Sequence, residues 1–589
     1  MRRTIRAALL LYVGLGLPAI AVGASTTCDV VIEFNVDAKM RDGVVLRADI
    51  FRPREEGKYP VLLLRTPYNR SVSLAQGCRM AAHGYVAVIQ DTRGRYGSLG
   101  EWYPGLNDMQ DGYDSVEWAA ALPYSNGKVV MAGGSYAGVM QIFAALAQPP
   151  HLVGLIPVAV PNDFYGGEIY PGGAFHLLAA ETWASLVAID SADRRFMRNW
   201  VFFNPSVEGA KLPLSGYRAL LAAGTGTEDL APFFLDWLRH PSYDEYWKRW
   251  NSEAQAGKFL TPAYHVGGWY DLFTNGTLHN YLSMKSQAGN ETARRNQRLL
   301  MGPWAHGNLG RKVGEMDMGP SAEVDETELT LRWYDYLLKG TPNGLEREKP
   351  VKIFVMGRNV WREEDDWPLA RARSTRYYLH SGGKANSLNG DGTLSEEVPQ
   401  SEPSDNYIYD PASPVPTRGG GLCCSFTFMG GAFDQRTVEG RDDVLVFSTL
   451  PFKTDVEVTG PLTVELYAAS SAVDTDFTAK LVDVRPDGYA QNLADGILRM
   501  RYRESAEAPK FITPGEVYKV KIDLAATSNV FLAGHRLRLD VSSSNFPHFD
   551  RNLNTGEDQA TSTRMLKATN KIYHDRDHPS ALILPLVSP

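Results

Sequence analysis

Short apolar runs that alternate with helical segments are the feature that most constrains the fold of this 589-residue chain. Each run has four or five residues, as expected for strands that are buried on both faces of a parallel sheet. The apolar runs are residues 60–64, 85–89 and 129–132, and helical spacing is found at 73–83, 108–121 and 139–147. This alternation predicts a doubly wound α/β sheet.

Two other regions have different patterns. Between about residues 162 and 250 helical spacing dominates and Trp residues are frequent, which predicts a helical insertion. Short apolar runs return at 262–266 and 298–301, so the α/β sheet is expected to continue after the insertion. From about residue 373 onward, short segments alternate apolar and polar residues and are separated by turns. This pattern is typical of a β sandwich or jelly roll.

A serine motif lies between the apolar run 129–132 and the helical segment that follows it. Its sequence, at 133–138, is GGSYAG. A sharp strand-to-helix turn holds its serine in a strained backbone conformation and needs small neighbours, here Gly133 and Ala137. Such a motif often arises by chance in a Gly-rich loop, but the strand–turn–helix context makes Ser135 a candidate nucleophile.

A serine hydroxyl needs a base, and the base needs an acid that fixes its tautomer. Asp271 and His306 each follow a predicted strand, and the order Ser, Asp, His is that of α/β-hydrolases. Alone, Asp271 is as well explained as a helix N-cap, and His306 as a packed loop residue. His265 and His279 do not follow the last strand of the sheet. The three positions together predict a catalytic triad.

The triad also needs donors for the oxyanion that forms during acyl transfer. The backbone N–H of Tyr136 is the first candidate, because it follows the nucleophile. No Gly-Gly run follows the strand 61–64 to supply a second backbone donor, but the Tyr68 hydroxyl lies there. A buried aromatic without catalytic role is the alternative for Tyr68.

Several segments carry a resemblance to a known family. They are MRDG at 40–43, RTPY at 65–68, DTRG at 91–94, GGSYAG at 133–138, GWYD at 268–271, GPWAH at 302–306, AVDTDF at 472–477 and SSSNFP at 542–547. In these segments the chain resembles the CocE/NonD hydrolases, the cocaine esterase-like enzymes of bacteria. That family is related to Xaa-Pro dipeptidyl-peptidases and to α-amino acid ester hydrolases, and the resemblance covers nearly the whole chain.

The resemblance implies an α/β-hydrolase core with an inserted helical cap and a C-terminal jelly-roll β domain. The expected bounds are a signal peptide at 1–24, core at 28–161 and 251–372, cap at 162–250 and jelly roll at 373–589. It also implies that Ser135, Asp271 and His306 form the triad and that Tyr68 is an oxyanion donor.

The same similarity places three further features at the cleft: Trp183 and Phe273 would line the acyl pocket, and the pair Cys423-Cys424 would lie near it. Relatives that accept free α-amino groups carry clustered carboxylates, in part just after the triad Asp. Here the residues at 272–274 are Leu, Phe and Thr, although Asp163 and Glu168 remain in the insertion. A buried ammonium without a counter-charge is costly. We therefore expect an ester with an uncharged, aromatic acyl group.

The first 24 residues predict export. Three Arg precede an apolar stretch that ends in small residues, which is typical of a secretory signal peptide, with a membrane anchor as the alternative. We expect a periplasmic or secreted protein that is not held in the membrane after cleavage. In such an oxidising compartment Cys28 could pair with Cys78, and Cys423 with Cys424; the sequence leaves both pairings open.

Charge and motifs restrict the partners. The net charge of −8 and the lack of a long basic run argue against nucleic-acid binding. The sequence has no C-x-x-C or H-E-x-x-H motif, so we expect no metal and no cofactor. A small ester or amide is the expected partner, and a homo-oligomer is compatible with the sequence.

The predicted function is a secreted serine hydrolase that cleaves a carboxylic ester, or an amide, through an acyl-enzyme. One alternative is an Xaa-Pro dipeptidyl-peptidase or an amide acylase. An alternative of another class is a carbohydrate-binding or adhesion protein with a degenerate hydrolase core. A complete triad argues against that last alternative.

Overall fold

The computed structural model describes residues 28–194, 212–214, 230–307, 309–425 and 427–588. The predicted signal peptide, 1–24, and part of the predicted helical insertion lie outside these ranges. Within them, no helix is both long enough and apolar enough to cross a membrane.

A ten-stranded sheet forms the first layer of the fold. Its strands up to the helical insertion are β1 (Val31–Lys39), β2 (Val45–Arg52), β3 (Tyr59–Thr66), β4 (Val86–Asp91), β5 (Ser125–Gly134) and β6 (Leu152–Val158). After the insertion come β7 (Ala263–Tyr270), β8 (Gln297–Ala305), a small separate hairpin of β9 (Lys312–Val313) and β10 (Met316–Asp317), and then β11 (Val351–Val355) and β12 (Val360–Glu364).

The strand order in this sheet is β1-β2-β4-β3-β5-β6-β7-β8-β11-β12. The strands from β4 to β11 are parallel to one another, and the pairs at both edges are antiparallel. The carboxyl ends of β5, β7 and β8 therefore lie at one edge of the sheet, where ligands bind in open α/β sheets.

The helices alternate with the strands of this sheet in its first half. In chain order they are α1 (Leu74–Ala82), α2 (Asp108–Ala120), α3 (Tyr136–Leu146), α4 (Leu177–Arg194), α5 (Pro232–Arg239), α6 (Glu245–Lys248), α7 (Thr274–Gln287), α8 (Glu291–Arg295), α9 (Glu326–Lys339) and α10 (Arg436–Glu439). Single helical turns are found at Arg70–Ser73, Tyr165–Ile169, Pro171–Gly173, Glu253–Lys258, Pro320–Ala322 and Met500–Tyr502. This arrangement confirms the predicted α/β core.

The strands that lead to the functional edge are longer than the sequence predicts. β7 continues through Gly267 and Gly268 to Tyr270, and every one of its residues is buried. β7 and β8 approach each other closely at Gly268, where a Cβ would lie 2.2 Å from the carbonyl oxygen of Trp304. Glycine in a strand often marks such a close backbone approach, whereas the sequence alone suggested that the strand ends before it.

Aromatic rings fill the space between the insertion and the core. Trp183 of α4 lies 5.5 Å, between ring centroids, from Tyr136 of α3 and 6.1 Å from Trp237 of α5. Phe233 contacts both Trp residues. The density of Trp in the insertion therefore has a packing role, because each large ring buries much apolar area.

The C-terminal β domain forms a second sheet of eleven strands. These are β13 (Arg373–His380), β14 (Thr393–Ser395), β15 (Asp405–Tyr409), β16 (Leu445–Ser448), β17 (Val456–Ser470), β18 (Asp476–Val484), β19 (Ala490–Arg499), β20 (Tyr518–Phe531), β21 (Arg536–Ser542), β22 (Ala568–Tyr573) and β23 (Ala581–Val587). Their order is β15-β22-β17-β23-β13-β14-β16-β21-β18-β19, with β20 paired to β17. The predicted β structure of the C-terminal part is confirmed.

Both cysteine pairs that the sequence left open are disulfides. Cys28–Cys78 ties the segment before β1 to α1, and Cys423–Cys424 joins adjacent residues. No free cysteine remains among the described residues.

Candidate active site

Ser135 occupies the turn between β5 and α3 in a conformation that L residues rarely adopt. Its φ is 55° and its ψ is −131°. The backbone N–H of Ser135 donates to the carbonyl oxygen of Val158, at 2.9 Å, which fixes the turn against β6. Such a conformation persists only where neighbouring contacts hold it. It leaves Ser135 at the carboxyl edge of the sheet.

Close contacts in this turn leave room only for small residues near Ser135. A Cβ at Gly133 would lie 2.8 Å from the Cβ of Ala137, and one at Gly138 would lie 2.3 Å from Cγ1 of Val160. The sequence indicated the need at Gly133 and Ala137. It did not single out Gly138, whose contact is with a residue beyond β6.

Ser135, His306 and Asp271 form a continuous hydrogen-bonded row. His306 Nε2 is 3.0 Å from Ser135 Oγ, and His306 Nδ1 is 3.0 Å from Asp271 Oδ2. The side chains of His306 and Asp271 are only 8% and 3% exposed. Phe273 packs edge-on against the imidazole, with 5.4 Å between ring centroids. The geometry allows His306 to take a proton from Ser135 while Asp271 fixes the ring.

Asp271 also holds the turn that precedes α7. Its Oδ1 accepts the backbone N–H of Phe273 at 2.7 Å. Phe273, not Asp271, occupies the N-cap position of α7. The alternative that Asp271 is the N-cap residue of this helix is therefore wrong.

Two other histidines have structural partners away from this row. His265 is fully buried in β7, where Nε2 lies 2.8 Å from Oε1 of Gln297, and burial lowers its pKa to about 4. His279 pairs with Glu253 at 3.1 Å, and this contact raises the pKa of His279.

The hydroxyl of Tyr68 lies beside Ser135. Burial raises the pKa of this phenol, and hydrogen bonds with the Trp183 and Ser135 side chains and the Tyr136 backbone act in the opposite direction. Trp183 Nε1 lies 2.9 Å from the Tyr68 oxygen. Because an indole N–H can only donate, the Tyr68 oxygen accepts this bond and keeps its own proton available.

Tyr136 contributes its backbone to the site and its side chain to the core. Its hydroxyl donates to Asp108 Oδ2 at 2.7 Å and accepts the N–H of Gly105 at 2.7 Å. These two bonds fix the ring of Tyr136, and the first N–H of α3 lies near the Tyr68 hydroxyl. The Tyr68 hydroxyl and the Tyr136 backbone N–H thus lie next to each other beside Ser135.

A cavity of about 470 Å³, its open mouth included, lies over Ser135. It is lined mainly by apolar and aromatic side chains. The lining residues are Ser135, Tyr136, Val139, Pro161, Glu168, Ile169, Ala179, Ala180, Trp183, Trp237, Leu272, Phe273, His306 and Cys423. The structure thus brings Trp183, Phe273 and Cys423 together in the cavity over Ser135.

Glu168 is the acid in this cavity that sequence reasoning noted but did not place. Burial, reinforced by the nearby Asp163 carboxylate, raises the pKa of Glu168 to about 8. Asp163 itself accepts the backbone N–H groups of Tyr165 and Gly166 and does not line the cavity. Among the described residues, no three His, Cys, Asp or Glu side chains are grouped as metal ligands.

Family models match two parts of the chain. Residues 42–308 match the X-Pro dipeptidyl-peptidase (S15 family), and residues 343–583 match the X-Pro dipeptidyl-peptidase C-terminal non-catalytic domain. The first match covers the α/β core with its insertion as far as β8, and the second covers β11, β12 and most of the C-terminal β domain.

Individual proteins are similar over nearly the full length. Cocaine esterase of Rhodococcus sp. (strain MB1 Bresler) is 39% identical over 578 residues, which cover 94% of this chain and 98% of that protein. An aminopeptidase from a marine sediment Thaumarchaeota archaeon is similar in structure, with a TM-score of 0.83 and 27% identity, over 98% of this chain and 99% of that one. An α-amino acid ester hydrolase has a TM-score of 0.80 and 26% identity, over 97% and 100% of the chains.

Proposed function

The chain belongs to the CocE/NonD family and is a serine esterase, and we propose that it cleaves carboxylic esters through an acyl-enzyme formed on Ser135. The observation that carries this proposal is the row from Ser135 Oγ through both nitrogens of His306 to Asp271, at 3.0 Å for each step. The same row argues against the alternative of an adhesion protein with a degenerate core, because a protein without catalysis does not need it.

In the proposed acylation step, His306 Nε2 takes the proton of Ser135 Oγ as that oxygen attacks the ester carbonyl carbon. The carbonyl oxygen becomes an oxyanion between the Tyr136 N–H and the Tyr68 O–H. His306 then gives its proton to the departing alkoxide, and the alcohol leaves. In deacylation a water molecule repeats the sequence, releasing the carboxylic acid and restoring Ser135.

We also propose the bounds of three domains in this chain. We assign the α/β-hydrolase core to 28–161 and 251–372, the helical cap to 162–250 and the jelly roll to 373–589. Trp183 of α4 and Cys423 of the C-terminal domain line the same cavity as Ser135, which favours the assignment of all three parts to one site. We also propose a signal peptide at 1–24 and a periplasmic or secreted location.

An uncharged acyl group suits the cavity. Trp183 and Phe273 offer aromatic surfaces in the cavity over Ser135, and we propose that they line the acyl pocket. Glu168, with a pKa of about 8, is protonated at neutral pH and adds no charge there. An aromatic acyl group would bury its rings against these side chains without leaving a charge unpaired.

A substrate with a free α-amino group is the second candidate, because Glu168 is an acid within the cavity. This would make the protein an Xaa-Pro dipeptidyl-peptidase or an amino ester hydrolase, as in the names of its relatives. Glu168 stands alone, however, and Leu272 and Phe273 take the places next to the triad Asp. One carboxyl that is protonated at neutral pH is a poor partner for an ammonium group.

Labelling with a fluorophosphonate probe tests the nucleophile. We expect mass spectrometry to find the phosphonyl group on Ser135 in the wild type and no labelling of Ser135→Ala. A panel of 4-nitrophenyl esters, with acetyl, butyryl and benzoyl groups, is then compared with an amide acylase substrate and with an Xaa-Pro-4-nitroanilide. Faster turnover of the benzoyl ester than of the amide and the Xaa-Pro-4-nitroanilide supports the proposal. Labelling at a residue other than Ser135, or a preference for the Xaa-Pro substrate, contradicts it.

A further inference from the structure

The Cys423–Cys424 disulfide lies at the substrate cavity, although no step of the proposed reaction uses it. Cys423 lines the same cavity as Ser135 and His306. Both cysteines are partly exposed, so substrates and small thiols can reach this edge of the cavity. We call the described residues 420–425 and 427–431, which carry the disulfide, the cysteine loop.

The cysteine loop is fixed to the strand ends that carry the triad. Gly420 and Gly431 exchange backbone hydrogen bonds of 2.8 and 2.9 Å, which close the loop at its base. A Cβ at Gly421 would lie 3.2 Å from the carbonyl oxygen of Asp271, and one at Gly430 would lie 3.3 Å from the Cβ of Ala305. The loop backbone therefore packs directly against the residues beside the catalytic acid and base.

The disulfide also constrains the backbone at Cys424. Cys424 has a φ of 66°, in the left-handed region that favours glycine. A non-glycine residue stays there only where its surroundings hold it, and the covalent bond to Cys423 supplies such a constraint. Breaking the bond would free Cys424 to adopt a negative φ and would give each Sγ its own rotamers.

Sulfur at this edge suits an aromatic ligand. Divalent sulfur is polarizable and makes favourable contacts with ring edges, and Cys423 shares its cavity with Trp183 and Phe273. An aromatic acyl group that is held by these two rings would meet the disulfide. A small acyl group, such as acetyl, would be too short to depend on it.

We propose that the Cys423–Cys424 disulfide is the wall of the cavity that selects aromatic acyl groups, and that its reduction by a dithiol lowers this selectivity. The inference rests on the proposed ester hydrolysis at Ser135. In the reduction, the S–S bond breaks, each Sγ gains a proton, and two electrons pass from the dithiol, which becomes a disulfide itself. The loop then loses the constraint at Cys424 while the triad row stays intact.

The test compares kcat/KM for 4-nitrophenyl benzoate with that for 4-nitrophenyl acetate. We expect the benzoate-to-acetate ratio to fall about three- to tenfold, as the loss of sulfur–aromatic contacts implies, in the double variant Cys423→Ala/Cys424→Ala. The wild type should show the same fall after treatment with dithiothreitol, with alkylation and mass spectrometry confirming that the Cys423–Cys424 bond is reduced. Dithiothreitol should not change the ratio of the double variant.

The other disulfide supplies a matched control. Cys28→Ala/Cys78→Ala removes a bond that lies away from the cavity, so its ratio should equal that of the wild type and should fall only with dithiothreitol. A ratio that stays within about twofold in wild type whose Cys423–Cys424 bond is shown to be reduced overturns the proposal. If the double variant does not fold, the reduced wild type decides, with acetate turnover and circular dichroism reporting an intact fold.

Failure of the proposed function gives a different result. A wild type that hydrolyses neither ester, or that a fluorophosphonate does not label at Ser135, removes the function and the inference together. A labelled, active enzyme whose ratio is insensitive to the disulfide removes the inference alone.

Discussion

Trp183 donates its indole N–H to the hydroxyl oxygen of Tyr68 across 2.9 Å. The bond joins helix α4 of the insertion to the loop that follows β3 of the core. It occupies one acceptor position of the phenol and leaves its proton to point elsewhere. The insertion thereby orients a side chain of the core that lies beside Ser135, and the proposed oxyanion site depends on both parts of the chain.

Tyr68→Phe should lower kcat by about 10²–10³ and change KM much less. The lost donor is aimed at charge that is present only in the transition state. Steady-state kinetics on 4-nitrophenyl benzoate measure kcat and KM separately. Tyr281→Phe is the matched control, because this buried tyrosine has a hydroxyl without a hydrogen-bond partner. A kcat for Tyr68→Phe within about twofold of wild type would show that Tyr68 is only a packing aromatic.

Trp183→Phe should lower kcat by about two- to tenfold, the effect of one neutral hydrogen bond. It retains an aromatic ring but removes the N–H that orients Tyr68. Because the effect acts through Tyr68, the double variant with Tyr68→Phe should be no slower than Tyr68→Phe alone. Trp237→Phe is the control, since it alters the same cavity and its effect should add to that of Tyr68→Phe. Additive effects of Trp183→Phe and Tyr68→Phe on kcat would mean that the Trp183 N–H does not act through Tyr68, and that only the contact of its ring with the acyl group matters.

Ser135→Ala and His306→Ala should each lower kcat by about 10⁴ or more, and the double variant should be no worse than either. Neither variant can form an acyl-enzyme at a measurable rate, so the burst of 4-nitrophenol should be absent. His279→Ala, which removes a histidine paired with Glu253, should keep the burst. A burst of full amplitude in Ser135→Ala would place the nucleophile elsewhere.

The parts of this site that follow from local sequence could be predicted. Ser135 could be identified because a strand, a turn of small residues and a helix are adjacent in the chain. Asp271 and His306 could be placed because parallel strands end at one edge. The Trp183–Tyr68 bond and the position of Glu168 could not, because they depend on how the insertion packs on the core. Periodicity within a segment carries no information on such contacts.

The length of β7, which extends to Tyr270, could not be predicted for a related reason. The pair Gly267-Gly268 resembles the end of a strand in the sequence, whereas in the fold Gly268 lets β7 approach β8 at the backbone of Trp304. A glycine that is required by a neighbouring strand and one that ends a strand have the same local sequence. Only the pairing of β7 with β8 distinguishes them.

The protonation state of Glu168 should determine whether the cavity prefers a neutral or a cationic acyl group. Burial raises the pKa of this carboxyl from 4.5 to about 8, with Asp163 adding to the shift. At neutral pH the carboxyl is protonated, and kcat/KM for a benzoyl ester should be higher there than above pH 8. Above pH 8 a negative charge appears close to Tyr68 and Tyr136, the proposed oxyanion donors, so kcat/KM for the neutral ester should fall. For an ester whose acyl chain carries a trimethylammonium group, which does not titrate, kcat/KM should rise over the same range.

Glu168→Gln separates this effect from other titrations, because it keeps the shape of the neutral acid and cannot ionise. Its benzoyl-ester profile should lack the fall above pH 8, and its trimethylammonium-ester profile should lack the rise. Stability provides an independent readout. Since the folded state holds the proton more tightly than the unfolded state, wild-type stability should decrease relative to Glu168→Gln as pH rises from about 4.5 to 8 and the difference should then stay constant. Identical pH profiles and an unchanging difference in Tm between the two proteins would mean that Glu168 is already ionised at neutral pH, and the cavity would then be built for a cation.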